Sequence, residues 1–72
     1  AGVSPIVMDE LFDRIIEVAR TGISILMVEQ NARQALEIAD RGYVLVQGAN
    51  RFTDTGAALL ANADVRKSFL GG

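Results

Sequence analysis

Cysteine, histidine and tryptophan are absent from the 72 residues, and proline occurs once. Without thiols there is no disulfide staple. Without thiols or imidazoles the usual zinc donor sets are missing too. A catalytic serine would need lysine or another unusual base. Lys67 is the one lysine of the chain, and Ser4, Ser24 and Ser68 have no such partner by local spacing. Positive charge is also scarce. Seven Lys and Arg stand against nine Asp and Glu, a net charge of −2, with no basic run. That excludes the clustered positive surface that nucleic-acid binding requires. No apolar run is long enough to span a bilayer. No secretory signal and no initiator Met are present. The start at Ala1 reads as cut from something longer or trimmed of a tag, and the lack of cysteine is compatible with a reducing cytoplasm.

What is present is a globular balance: half the residues are apolar and 22% are charged. A chain of this size makes one domain at most. Such chains bury only about 60% of their surface on folding. With staples and metals excluded, a partner or self-association is the remaining external support.

The first element is a helix. Ser4 supplies a capping hydroxyl and Pro5 fits the first helical position, where its missing N–H costs nothing. Met8, Leu11, Phe12, Ile15 and Ala19 recur at helical spacing, and Asp9, Glu10, Asp13, Arg14, Glu17 and Arg20 fill the other face. Gly22 ends the helix in a left-handed cap. Residues 23–28 are apolar except for Ser24, without alternation, which predicts a strand covered on both faces as in a parallel sheet. Asn31 caps a second helix, with Gln34 placed to reach back to the cap amide. Ala32, Ala35, Leu36 and Ala39 form its apolar stripe, and Gly42 is the residue that follows it. Tyr43 to Val46 is a second strand, residues 47–50 a turn and residues 51–53 a short return strand. A short helix over residues 57–61 is broken by Asn62. Asp64 then caps a last helix running to Leu70. The expected fold class is therefore α/β. Its order is helix, strand, helix, strand, strand, helix, helix, with a small, mainly parallel sheet and right-handed crossover. The first helix has no strand before it, as in the back half of a larger unit. Residues 1–72 read as a single partial domain.

Chemistry is sparse. A P-loop requires Gly-x-x-x-x-Gly-Lys-Ser/Thr, whose backbone amides and lysine surround the phosphates. No glycine-rich loop precedes Lys67, and Gly42, Gly48 and Gly56 are too far apart for a dinucleotide fingerprint. Asp9, Asp13 and Glu17 line one helix face at four-residue steps, which a solvated surface explains. Glu29-Gln30-Asn31 lies at the carboxyl end of the expected parallel strand, where open sheets bind ligands. Asn31 is explained as a cap, and Glu29 suits the positive end of a helix dipole. Gln30 has no local explanation. An apolar strand ending in acid also invites comparison with a magnesium-holding Walker B strand. That would need Asp-Glu where this chain has Glu29-Gln30, and the reading is rejected.

The words "ILMVEQNARQALEIADRGYVLVQG" and "DTGAALLANADVRKSFLGG" resemble the C-terminal part of bacterial ABC transporter ATPases. More narrowly, they resemble the second ATP-binding subunit of the branched-chain amino acid importer. The family pattern reads "VEQNAxxALxxADRGYVL" and later "LLAxxxVRxxYLGG". The similarity covers the whole chain, with Phe69 where the family often has Tyr. "AGVSP" matches the end of the family's "LLLDEPSxGLxP". By that match Ala1, Gly2, Val3 and Ser4 would be the D-loop, facing the opposite ATPase subunit. Gln30 would stand at the nucleotide-sensing switch position, where most ABC ATPases carry histidine. A neutral amide can donate a hydrogen bond to a γ-phosphate oxygen but cannot titrate near neutral pH.

The resemblance implies a P-loop NTPase fold and a parent protein that uses ATP and Mg. It further implies a second ATPase subunit and membrane permease subunits as partners, and a cytoplasmic location peripheral to the inner membrane. The P-loop, signature and Walker B segments are not in these residues. The chain alone is therefore expected to carry no catalytic residue, metal site or cofactor of its own, and to hydrolyse no ATP. The alternative is an autonomous small module derived from an ABC ATPase, acting by self-association or partner binding. In either case an apolar strand without neighbours predicts self-association.

Overall fold

The computed structural model describes residues 4–71. Helix α1 spans Pro5–Arg20. Ser4 caps it as expected, its Oγ accepting the Val7 N–H at 3.3 Å, and Pro5 fills the first turn. Gly22 terminates it with φ +96°, its N–H donating to the Ala19 carbonyl at 3.0 Å. The buried face is not quite the one the spacing indicates. Phe12 is buried and Met8, Ile15 and Ile16 are half-buried, while Leu11 and Ala19 lie exposed. A stripe of apolar residues marks a helix face, but the neighbour decides which part of that face is covered.

The principal correction concerns residues 23–28, which have no regular secondary structure. A strand exists only as a member of a ladder, and among the described residues nothing pairs with this segment. It is not covered on both faces either: Leu26 and Val28 are 92% and 96% exposed.

Helix α2, Ala32–Ile38, starts at the predicted cap, with Asn31 Oδ1 accepting the Gln34 N–H at 3.4 Å. The small-residue stripe faces inward, with Leu36 buried and Ala32, Ala35 and Ala39 half-buried. The helix ends at Ala39 in extended conformation, so Gly42 is not its terminator. Gly42 lies inside strand β1, Arg41–Val46, beneath two leucines: a Cβ there would stand 2.7 Å from both Leu36 Cδ2 and Leu59 Cδ1.

Strand β1 pairs antiparallel with β2, Ala49–Thr55, and these two strands form the sheet of the described residues. The two-residue loop has Gln47 at φ 51° and Gly48 at φ 79°. Two successive positive φ values are the type I′ pattern, whose twist matches that of the flanking strands. This tight closure lets pairing begin at Val46 and Ala49, so the strands are longer than the sequence indicates. The register slips once, after Val44, leaving Arg51 without an opposite residue as in a bulge.

Thr55 caps helix α3, Gly56–Ala61, through an Ala58 N–H bond of 3.1 Å. Helix α4, Ala63–Phe69, is capped by Asn62, whose Oδ1 accepts the Val65 N–H at 3.1 Å. Asn62 thus ends one helix and starts the next. Asp64, the cap expected from sequence, falls in the first turn of α4.

The observed order is helix, helix, strand, strand, helix, helix. The sheet is small and antiparallel, in place of the parallel arrangement with a crossover. The core is correspondingly small. Leu36, Leu59 and Val65 are buried, with Val44, Phe52, Leu60 and Leu70 packed on them. Fully burying such a side chain contributes about 1.5–3 kcal/mol. The cluster unites α2, the hairpin, α3 and α4. Helix α1 contributes to none of it and buries Phe12 separately.

Candidate functional site

The candidate site begins at residues 29–34, between the apolar segment and α2. Glu29 Oε1 accepts the backbone N–H groups of Gln30 at 2.9 Å and Asn31 at 3.1 Å. These amides lie just before α2 and lack helical partners, so Glu29 satisfies donors that would otherwise depend on water. Sequence spacing places Gln34 to bond the Asn31 backbone amide. In the structure Glu29 occupies that amide, and Gln34 Oε1 instead accepts from Asn31 Nδ2 at 3.0 Å.

Two contacts connect this turn to distant parts of the chain. Gln34 Nε2 donates to Asp9 Oδ1 at 2.9 Å, tying α2 to α1. Arg33 donates to the Leu70 carbonyl oxygen at 3.0 Å, tying α2 to the end of α4. Neither was visible in the sequence, because nothing local signals a partner 25 or 37 residues away.

Among the described residues, the side chains of Glu29, Asn31, Arg33 and Gln34 are all committed to hydrogen bonds within the fold. The exposed Gln30 amide is not. It keeps two N–H donors and a carbonyl acceptor for an outside group. Ser4 is exposed and its hydroxyl serves the α1 cap. Ala1, Gly2 and Val3, the rest of the D-loop assignment, lie outside the described residues.

A Mg–nucleotide complex needs more than one amide. It needs a cradle of backbone N–H groups, a cation for the phosphates and carboxylates for the metal. Oε1 of Glu29 already accepts two backbone N–H groups, and Lys67 belongs to α4. Among the described residues, no group of three or more acidic side chains is placed to hold a metal. Among the described residues 29–34, one uncommitted donor is present at Gln30, and that alone does not fit Mg-ATP.

A second concavity, about 340 Å³, lies between β2 and α4 and is lined by Val46, Arg51, Phe52, Asp64, Ser68 and Phe69. Phe52 and Phe69 meet edge to face there, 6.3 Å between ring centres, and close the side of the core. Neither Gln30 nor Ser4 lines it. No helix among the described residues is long and apolar enough to cross a membrane.

Comparison with known proteins places these features in context. No protein-family model matches the chain, and no solved structure matches it. Curated relatives do. The high-affinity branched-chain amino acid transport ATP-binding protein BraG of Pseudomonas aeruginosa is 49% identical over 71 residues, 99% of this chain and 30% of that protein. A "Probable branched-chain amino acid transport ATP-binding protein LivF" of Archaeoglobus fulgidus is 39% identical over 72 residues, again 30% of its length. The lipopolysaccharide export system ATP-binding protein LptB of Haemophilus influenzae is 27% identical over 71 residues. The chain therefore spans about 30% of the length of these relatives. Proteins named for different cargoes match the same residues, and the two named for branched-chain amino acids match with the higher identities.

Proposed function

We propose that the chain, which over 99% of its length resembles the C-terminal part of ABC ATP-binding subunits of the branched-chain amino acid type, serves as that part of an ATP-binding subunit energising branched-chain amino acid import. The observation that carries this reading is the 49% identity across 99% of the chain. On this reading residues 1–72 are one partial domain, working beside a second ATPase subunit and membrane permease subunits on the cytoplasmic side of the inner membrane. ATP and Mg are bound by the complete subunit. Gln30 supplies a hydrogen-bond donor to the γ-phosphate, and the absence of a bond from its side chain among the described residues supports that role. Ala1 to Ser4 face the opposite ATPase subunit.

The chain alone hydrolyses no ATP, because one amide cannot replace cradle, metal and positioned water. Alone it self-associates, a reading supported by the exposure of Leu26, Val28, Ile6 and Ile23.

Two measurements test the proposal. The first exchanges this chain for the matched region of the Pseudomonas aeruginosa relative and follows branched-chain amino acid uptake by cells lacking the native protein. Retained uptake is expected, and loss with the chimaera still expressed would overturn the assignment. The second titrates the 72-residue chain with Mg-ATP in a calorimeter. No heat of binding is expected, and micromolar affinity would refute the claim that these residues cannot hold the nucleotide.

A further inference from the structure

The concavity between β2 and α4 takes no part in the site at Gln30, and its lining combines three kinds of chemistry. Arg51 brings a cation, Asp64 a carboxylate, and Val46, Phe52 and Phe69 an apolar wall. Ser68 adds a hydroxyl. The volume, about 340 Å³, lies at the small end of the range for ligand pockets.

Local structure explains how these groups come together. Successive residues of a regular strand point to opposite faces, which would put Arg51 and Phe52 on opposite sides of β2. Both line the concavity. The register accounts for this: Leu45 pairs with Asn50 and Val44 with Phe52, so Arg51 is the extra residue of the bulge. A bulge re-aims a side chain in this way. On α4, Asp64 and Ser68 stand four residues apart and share one helix face. The wall is held from both sides. Phe52 and Phe69 meet edge to face at 77°, and the Arg33 bond to the Leu70 carbonyl oxygen pins the end of α4 beside Phe69.

The polar groups are uncommitted. Arg51, Asp64 and Ser68 are exposed, and among the described residues their side chains make no hydrogen bond or ion pair. Opposite charges thus share one concavity without meeting each other. That arrangement suits a guest that carries both signs itself.

We propose that this concavity binds a small α-amino acid with an apolar side chain. Arg51 takes the carboxylate, which its planar fork of donors matches. Asp64 takes the ammonium group. Ser68 supplies a further hydrogen bond. The side chain lies on Val46, Phe52 and Phe69, so that apolar surface of both partners leaves the water. A simple acid or a simple amine would satisfy one charge and leave the other, and a phosphate would face the Asp64 carboxylate. The inference rests on the lining of this concavity and not on the functional reading above.

The experiment titrates the isotope-labelled 72-residue chain with L-leucine and follows its amide resonances. Saturable shifts are expected at Arg51, Phe52, Asp64, Ser68 and Phe69. The Kd should be on the order of 1 mM, because exposed charge pairs contribute little each. Isocaproate, which is leucine without its amine, and isoamylamine, which is leucine without its carboxylate, should each bind about 5- to 10-fold more weakly. Arg51→Gln and Asp64→Asn should weaken leucine by a similar factor. Neither side chain is bonded within the fold, so both variants keep the parent's circular dichroism. The pairing is then read by combining the two series. Removing the amine from leucine should lower affinity for the parent and for Arg51→Gln, but not for Asp64→Asn. Removing the carboxylate should lower it for the parent and for Asp64→Asn, but not for Arg51→Gln. No saturable shift by about 20 mM leucine, or shifts centred outside this concavity, would overturn the proposal. Equal binding of leucine and its one-ended analogues, or variants that bind as the parent does, would overturn it too. Loss of uptake by the chimaera would leave this site standing, and absence of leucine binding would leave the functional reading standing.

Discussion

Replacing Gly56 by alanine would place a Cβ where α3 meets the end of α2 backbone to backbone. Gly56 is buried, and its N–H donates to the Asp40 carbonyl at 3.2 Å. The added carbon would press on the carbonyl oxygens of Leu36 and Ala39 and stand 3.3 Å from the Ala39 carbonyl carbon. Backbone atoms cannot rotate aside, so α3 must move away from α2, loosening Leu59 against Leu36. Overpacking of this kind costs about 1–3 kcal/mol. Restricting the unfolded chain returns about 0.4–1 kcal/mol, so a net loss of roughly 1–2 kcal/mol is expected. In a domain of this size that lowers Tm by about 4–16 °C.

Gly42→Ala is the internal control. Its Cβ would stand 2.7 Å from Leu36 Cδ2 and Leu59 Cδ1, which are side-chain ends in the core rather than backbone. Side-chain ends can shift where backbone atoms cannot, and a smaller loss than for Gly56→Ala is expected. Thermal unfolding of the two variants followed by circular dichroism decides the matter. If Gly56→Ala melts with the parent, or if Gly42→Ala melts lower than Gly56→Ala, the argument from backbone contact is wrong.

Two further outcomes follow from named contacts. Asn62→Ala removes the side chain that accepts the Val65 N–H and should cost about 1 kcal/mol in urea unfolding. Asp64→Ala should cost less than half of that, and the reverse order would restore Asp64 as the cap. In the complete ATP-binding subunit, Gln30→His should add a limb to the pH profile of ATP turnover near the ordinary histidine pKa of about 6.5. The parent amide contributes no limb there, and superimposable profiles would remove Gln30 from the phosphate.

Local features were readable in the sequence where their cause is local. Ser4-Pro5 at the start of α1, Gly22 at its end and Asn31 before α2 are each fixed by atoms three or four residues away. The turn at Gln47-Gly48 was placed correctly, although its two-residue closure and the resulting strand lengths depend on pairing across the hairpin. The candidate site was partly legible. Asn31 followed from capping rules, and Gln30 stood out because no local rule explained it. The second bond of Glu29 and the links of Gln34 to Asp9 and Arg33 to Leu70 required the fold.

The sequence by itself determined which segments are helical, where the hairpin turns and which family the words resemble, because capping, φ preference and residue identity act over a few positions. Only the tertiary structure decided the sheet. Residues 23–28 have every local property of a buried strand, but strand formation depends on a partner's hydrogen bonds and a neighbour's cover. Among the described residues neither is supplied, so the hairpin alone forms an antiparallel pair and the apolar run remains exposed.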